Sequence, residues 1–328
     1  MTILVTGGLG FIGSHTVVEL IKARHTVIIV DNLINSKRNV LDKIGMITGI
    51  TPIFYPIDVT QETQLEMVFS AHQLDGVIHF AGLKAVGESV SKPLDYYFNN
   101  IVSTLSLCRL CEKYGVFNII FSSSATVYGN QQSPLKEDML LKRTTNPYGE
   151  TKAMNERILV DLAKADKRFS IILLRYFNPV GAHESGLIGE SPNGMPNNLM
   201  PYIIKVAKGQ LPVLNIYGND YDTVDGTGVR DYIHVVDLAK GHVQAMVQFN
   251  TGVHIYNLGT GQGTSVLELV KTFIEVNKVD VPYEFVGRRQ GDIGTCYADP
   301  TKAESELGWK AELGIKEMVK DAWRFGML

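Results

Sequence analysis

Apolar residues along the chain gather in short blocks separated by amphipathic stretches. Ile3-Leu4-Val5, Val27-Ile28-Ile29-Val30, Ile53-Phe54-Tyr55, Val77-Ile78-His79-Phe80, Asn118-Ile119-Ile120-Phe121 and Ile171-Ile172-Leu173-Leu174 are almost uninterruptedly apolar, the pattern of strands covered on both faces. The stretches between them have helical spacing. In the first, Val17, Leu20 and Ile21 share one face, while Glu19, Lys22 and Arg24 lie elsewhere. Buried-type strands alternating with helices predict an α/β fold with a doubly wound parallel sheet of the Rossmann type.

The texture changes after about Arg175. Asn178 to Pro201 is rich in Gly, Pro and Asn, and reads as a long irregular loop of the kind that often carries function. Beyond it, short helical and strand-like pieces alternate, with turns at Gly218-Asn219-Asp220 and Gly259-Thr260-Gly261. The expected organisation is a sheet domain over residues 1–175 and a smaller mixed α/β, substrate-binding part over 176–328, with segments free to interleave.

Composition narrows the function classes. Hydrophobic residues make up 45% of the 328, ample for a sizeable core. With 31 basic and 34 acidic side chains the net charge is -3, so no nucleic acid partner is expected and any phosphate recognition is local. Three cysteines, Cys108, Cys111 and Cys296, are too few and odd in number for a disulfide framework, which points to the reducing cytoplasm. Cys108 and Cys111 lie in an apolar helical pattern and fit core or interface packing better than a metal site. Met1 to Thr6 already reads as a buried strand, so no targeting segment is expected ahead of the fold. No apolar run approaches the roughly 20 residues that cross a bilayer, and no membrane association is expected.

Gly7-x-x-Gly10-x-x-Gly13 sits between the first strand and the first helix. Such glycines permit a tight turn, let the backbone approach a diphosphate, and bring helix and strand close, while the helix N-terminus offers free N–H groups. Asp31 closes the second strand, where a carboxylate accepts from ribose hydroxyls and repels a 2′-phosphate; NAD is therefore favoured over NADP. Alternatively Asp31 caps the turn before Asn32. Asp58, closing the third strand, either reaches the adenine or serves a turn.

Ser122-Ser123-Ser124 ends a strand, and Asn146-Pro147-Tyr148-Gly149-Glu150-Thr151-Lys152 opens a helix, with Pro147 well placed at its start. Tyr148 and Lys152, four apart, share a face. A phenol with a pKa near 10 is only about 0.1% ionised at neutral pH, and lowering it by about three units takes roughly 4 kcal/mol. A lysine ammonium and a positively charged nicotinamide together are expected to provide that, making Tyr148 a base for a sugar hydroxyl. Ser124 either hydrogen-bonds the reacting oxygen or caps the chain after its strand.

These motifs resemble the extended short-chain dehydrogenase/reductase family. Longer stretches, His79 to Ser89, Leu174 to His183, Pro196 to Pro201 and Gly226 to His234, are similar within it to the UDP-glucose (UDP-galactose) 4-epimerases, and the likeness runs nearly end to end. The resemblance implies tightly held NAD. Gly7, Gly10, Phe11, Ile12, Gly13 and Lys84 would then surround its phosphates, with Asp31, Asn32, Asn35 and Ser36 on the adenosine side and Asp58 and Val59 by the adenine. Phe80, Ala81, Gly82, Asn99 and Phe177 would complete the cleft. For a UDP-hexose it implies Asn178, Asn198, Leu199, Asn215, Tyr217, Arg230, Arg289 and Asp292. Ser124, Tyr148 and Lys152 become the catalytic set, touching both cofactor and sugar. The implied reaction is reversible epimerisation at C4′ through a 4-keto sugar, in a homodimer built on helices near 95–115 and 149–165. Cys296 stands at a pocket-wall position where some relatives carry tyrosine, which implies room for an N-acetyl group.

His79, His183 and His234 lack ligand spacing and are expected to be structural; no metal is expected. Arg24-His25 fills the turn before the second strand without a glycine, and the chain ends soon after Trp323, so no C-terminal extension is expected. Two other readings share the fold: an NAD-dependent nucleotide-sugar 4,6-dehydratase, disfavoured by Ala125-Thr126 after Ser124 where an Asp-Glu pair is expected, and a non-catalytic NAD-sensing protein, disfavoured by the intact Tyr148 and Lys152. Asp31 disfavours an NADP-linked reductase.

Overall fold

A computed structural model describes residues 1–289 and 291–328. Strand and helix alternate at first. β1 (Thr2–Thr6) leads through the glycine turn into α1 (Phe11–Lys22), followed by β2 (Thr26–Val30), α2 (Asn39–Thr48), β3 (Ile53–Tyr55), α3 (Glu62–Ala71) and β4 (Gly76–His79). Two helices, α4 (Val86–Ser91) and α5 (Pro93–Tyr114), precede β5 (Asn118–Ser124), and α6 (Pro147–Ala165) precedes β6 (Ser170–Tyr176). Then come β7 (Asn178–Val180), α7 (Leu199–Ala207), β8 (Leu214–Tyr217), β9 (Val229–Arg230), β10 (Tyr232–His234), α8 (Val235–Ala245) and β11 (Gly252–Leu258). The chain finishes with β12 (Thr264–Ser265), α9 (Val266–Asn277), β13 (Tyr283–Val286), β14 (Thr295–Cys296), α10 (Thr301–Leu307) and α11 (Ile315–Met327).

Seven strands form one parallel sheet in the order β11-β6-β5-β4-β1-β2-β3. Successive residues of a strand face opposite sides, and the core divides accordingly. Ile3, Val5, Val27, Ile29, Ile78, Ile120 and Ile172 pack under α1, α2 and α8. Leu4, Ile28, Val30, Val77, Ile119, Phe121 and Ile171 pack under α3, α5 and α6. The chain runs from β1 outward to β3, then crosses back to β4 and proceeds the other way. Between β1 and β4 the direction reverses, and in open sheets of this kind ligands bind at that point, outside the carboxyl ends of the strands.

Two local expectations need correction. β3 is the sheet edge rather than a buried strand: with β2 as its only neighbour, Ile53 is 46% exposed. Asn178 to Pro201 is not wholly irregular, because Asn178-Pro179-Val180 pairs in parallel with β10, and α7 begins at Leu199. Cys108 and Cys111 take the core side of the two placements open to them, packed with Leu107 and Leu110, while Leu105 of the same helix faces outward. Arg24 adopts φ 66, a left-handed conformation that costs a non-glycine residue about 1 kcal/mol.

Beyond residue 176 the chain does not leave the sheet for good. β11 lies beside β6, α8 packs on α1, and Ala303 and Leu307 of α10 join the same core. A separate cluster, from Val180 and Met200 to Val319 and Ala322, is built by α7, β8, β10, α9 and α11. Among the described residues, no helix is long and apolar enough to cross a membrane.

Candidate functional site

The glycine turn is drawn so tight that side chains at its glycines would strike the backbone. A Cβ on Gly13 would meet the Gly7 carbonyl oxygen at 2.2 Å, and one on Gly7 would meet the Ala81 nitrogen at 2.9 Å. Gly10 is the N-cap of α1 and brings no side chain to its first N–H groups, so they remain free for an anion. Phe11 and Ile12 form the first turn of this helix.

Asp31 lies at the carboxyl end of β2, as expected, but its oxygens are already engaged. Leu9 N donates to Oδ2 at 3.0 Å, and Leu33 N and Ser36 Oγ donate to Oδ1 at 2.9 and 2.7 Å. It therefore both caps the turn and ties that turn to the glycine loop. Ser36 serves Asp31, and Asn35 is exposed beside it. Asn32 Nδ2 donates to Asp58 Oδ2 at 3.0 Å. Burial alone would raise the Asp58 carboxyl, but bonds from Thr60 and Asn32 hold it below the usual range. Val59 beside it is buried.

Phe80, Ala81 and Gly82 leave β4 on the far side of the crevice. Ala81 N donates to Thr6 Oγ1 at 3.3 Å, and Phe80 packs on His242 with centroids 4.8 Å apart. Asn100, which sequence reasoning passed over, fixes the next turn: its Oδ1 accepts from Leu83 N at 2.8 Å and from Asn99 Nδ2 at 3.0 Å. Lys84 leans over the Phe11 ring, 6.0 Å from its centroid.

Ser124, Tyr148 and Lys152 come together at the end of β5. Pro147 occupies the first turn of α6, and Asn146 caps it by accepting from Gly149 N at 2.9 Å. Ser124 caps the short helical turn Ala125–Tyr128, accepting from Thr126 N and Oγ1 at 3.2 and 3.0 Å. Of the two roles considered for Ser124 the capping one is present, and its hydroxyl also acts to lower the nearby Tyr148 phenol. No Asp-Glu pair follows Ser124; Thr126 occupies that space.

The protein's own surroundings act on both groups of the pair. Tyr148 is half-buried, with enough protein around its hydroxyl that lost hydration pushes the phenol up to about 12; the Ser124 bond acts in the opposite direction without overcoming it. Lys152 does not meet the hydroxyl. Its Nζ donates to the Ser122 carbonyl at 2.6 Å and lies 5.9 Å from the Tyr148 ring centroid. Burial drops this lysine to about 8, with Glu156 pulling it back up. The protein surroundings alone thus favour the protonated form of Tyr148.

Behind the pair lies another contact set absent from the expectations. Glu156 takes two bonds from Arg175, at 3.0 and 2.7 Å, and one from Ser123 Oγ at 2.5 Å, with both charged side chains nearly inaccessible. Its place one turn beyond Lys152, in register with Tyr148, was the available signal.

The residues expected around a nucleotide sugar fall into three groups. Asn215 and Tyr217 lie on β8, where Arg289 stacks over Tyr217 at 4.8 Å and pairs with Asp292 at 2.9 Å. Among the described residues Asn215 Oδ1 is buried without a hydrogen-bond partner. Arg230 and Cys296 are neighbours across β9 and β14, with Arg230 folded back on the Val229 carbonyl at 2.8 Å. Cys296 and Phe177 share a small cluster with Val127, Tyr128 and Ala153, which joins this wall to α6; burial raises the Cys296 thiol to about 11. Asn178 opens β7, and Asn198 and Leu199 start α7.

The three histidines are held by hydrogen bonds within the protein. His79 Nδ1 bonds Thr6 at 2.7 Å, His183 Nδ1 bonds Ser185 at 2.9 Å, and His234 caps α8 by accepting from Val236 N. A cavity of about 540 Å³ is lined by Asn130, Lys142, Asp222, Thr295 and Tyr297, none of them among the expected site residues.

Comparison with known proteins gives a consistent picture. Residues 3–259 match the model of the NAD dependent epimerase/dehydratase family. The UDP-glucose 4-epimerase of Pasteurella multocida is 56% identical over 99% of this chain and 97% of its own length. That of Bacillus subtilis is 57% identical over 99% and 96%. The crystal structure of the Bifidobacterium longum UDP-glucose 4-epimerase with NAD+ and UDP superposes with a TM-score of 0.97 at 54% identity, covering all of this chain and 98% of that one.

Proposed function

The chain belongs to the NAD dependent epimerase/dehydratase family, and from that premise we propose that it interconverts UDP-galactose and UDP-glucose at C4′ of the hexose. The observation that carries this reading is the placing of Tyr148 and Lys152 on α6 against the end of β5, where Ser124 lies and Lys152 is tied to the Ser122 carbonyl, beside the point where the strand order reverses. When bound, NAD supplies a two-electron acceptor that is restored within each turnover and, in its oxidised form, the positive charge that draws the Tyr148 phenol towards its anion.

Tyr148 takes the proton of the 4′-hydroxyl and later returns it to the oxygen of the 4-keto sugar. Ser124 hydrogen-bonds that same oxygen and fixes its position. Lys152, anchored to the Ser122 carbonyl, holds α6 against β5 so that the phenol keeps its place. Gly7, Gly10, Phe11, Ile12, Gly13 and Lys84 hold the dinucleotide phosphates. Asp31, Asn32, Asn35 and Ser36 face the adenosine, Asp58 and Val59 the adenine, and Phe80, Ala81, Gly82, Asn99 and Phe177 line the cleft.

Asn178, Asn198, Leu199, Asn215, Tyr217, Arg230, Arg289 and Asp292 hold the UDP half of the substrate. The arginine forks suit a diphosphate, and the orphaned Asn215 oxygen suits a donor on the base. Firm contacts to UDP and few to the hexose leave the keto sugar free to turn over and present its other face. The cofactor-holding part is residues 1–175 and the nucleotide-sugar part 176–328, with β11 returning to the sheet.

The small Cys296 side chain leaves room for a 2′-N-acetyl group, so UDP-GlcNAc and UDP-GalNAc are also interconverted. Cys296→Tyr is expected to abolish turnover of the N-acetylated sugars while sparing UDP-galactose; equal loss of both contradicts this. The working form is a cytoplasmic homodimer. Purified protein given UDP-galactose without added nucleotide is expected to yield UDP-glucose with no net NADH change. A 4-keto-6-deoxy product, or no product, would overturn the reading.

A further inference from the structure

Glu190 stands where the two halves of the cleft meet. One carboxylate oxygen, Oε1, accepts from Lys84 Nζ at 2.9 Å and from Asn198 Nδ2 at 2.6 Å, and the side chain is 9% exposed. Lys84 also leans on Phe11, the first residue of α1, which brings its ammonium to the mouth of the glycine turn. Asn198 is the N-cap of α7, yet its side chain makes no bond to that helix. Asparagine is among the best N-cap residues, so turning its amide away to Glu190 forgoes a stabilising contact. The segment around Glu190 reaches back to the first half of the chain at two further points: Lys37 Nζ donates to Ser191 Oγ at 3.2 Å, and Asn193 Nδ2 donates to the Ile34 carbonyl at 3.0 Å.

A carboxylate in a cleft that takes two diphosphates repels both unless a cation stands between, and Lys84 is placed to do so. We propose that Glu190 is a positioning residue that couples cofactor retention to nucleotide-sugar binding, by holding Lys84 and Asn198 on a single oxygen. This rests on the reading above, in which Lys84 serves the dinucleotide and Asn198 the UDP-hexose. Filling the UDP subsite fixes Asn198, hence Glu190, hence Lys84 on the cofactor phosphates. Linkage makes the effect reciprocal: whatever factor UDP adds to the hold on NAD, NAD adds to the affinity for UDP.

The test uses holoenzyme of the wild type, Glu190→Gln and Glu190→Ala. Release of bound NAD after dilution is followed with and without UDP, alongside KM and kcat for UDP-galactose and the thermal unfolding midpoint. In the wild type UDP slows NAD release. In both variants that slowing is expected to shrink about tenfold and KM to rise about tenfold, with kcat changed far less and the midpoint unmoved. Glutamine keeps the shape and loses the charge, so a milder effect there than with alanine also fits. The proposal is overturned if UDP has no effect on release in the wild type, if it slows release in the variants as much as in the wild type, or if every change tracks a lower midpoint. Should the wild type fail to epimerise UDP-galactose at all, it is the functional reading that falls instead.

Discussion

Tyr148 sits in surroundings that favour its protonated form, and what its neighbours do to that balance decides its usefulness as a base. Burial pushes the phenol to about 12, and the Ser124 hydrogen bond is the one protein contact that works downward. Removing that bond must raise the phenol further, so a rate that needs the phenolate requires higher pH. Ser124→Ala is therefore expected to move the acid limb of the kcat profile to higher pH and to lower kcat by about 10-fold at neutral pH, with Ser124→Thr recovering most of the loss; an unmoved limb contradicts this. At this scale the sequence was informative where spacing implies contact. Four residues along a helix bring Tyr148 and Lys152 onto one face, and a strand end brings Ser124 to meet them. The lysine's actual partner, the Ser122 carbonyl on another element, was not legible because it depends on how α6 lies across β5. Glu190 was hidden for the same reason: its partners Lys84 and Asn198 come from separate segments.

Among elements, the contact that locks α6 to the sheet is the buried pair of Glu156 and Arg175. Its two side chains are 4% and 3% exposed, and Ser123 on β5 completes the carboxylate's bonds. Breaking one side leaves a buried charge without a partner. Glu156→Ala is expected to cost about 3–5 kcal/mol in denaturant unfolding, whereas the double change Glu156→Met with Arg175→Met costs clearly less. An equal cost for both would mean that the pair matters only through its packing. Elements whose pattern is complete within themselves were legible, as with the four-residue apolar run of β2. β3 misled because its composition is that of a central strand while its place is the edge. β7 could not be foreseen: Pro179 argues against a strand, and the pairing depends on β10, more than fifty residues further along the chain.

The molecule as a whole exposes an apolar strip that its own core does not use. Leu94, Phe98 and Leu105 of α5 are 80%, 63% and 38% exposed, and Val90 of α4 is 64% exposed, at spacings that keep the α5 residues near one face. Such a strip suits the proposed homodimer, with α5 rather than its buried cysteines meeting the partner. Phe98→Glu is expected to shift the protein from dimer to monomer in analytical ultracentrifugation while leaving its circular dichroism unchanged; a monomeric wild type would contradict this. The doubly wound sheet could be read from alternation alone. The return of β11 to that sheet could not, since a seven-residue half-apolar strand gives no sign of which neighbour it joins.

The most direct test is of the phenol itself. Tyr148→Phe removes one oxygen, and the holoenzyme is expected to keep its bound NAD and its affinity for UDP while kcat for UDP-galactose falls about 10²–10⁴-fold. Turnover within a few-fold of wild type, with cofactor still bound, would show that another group moves the proton.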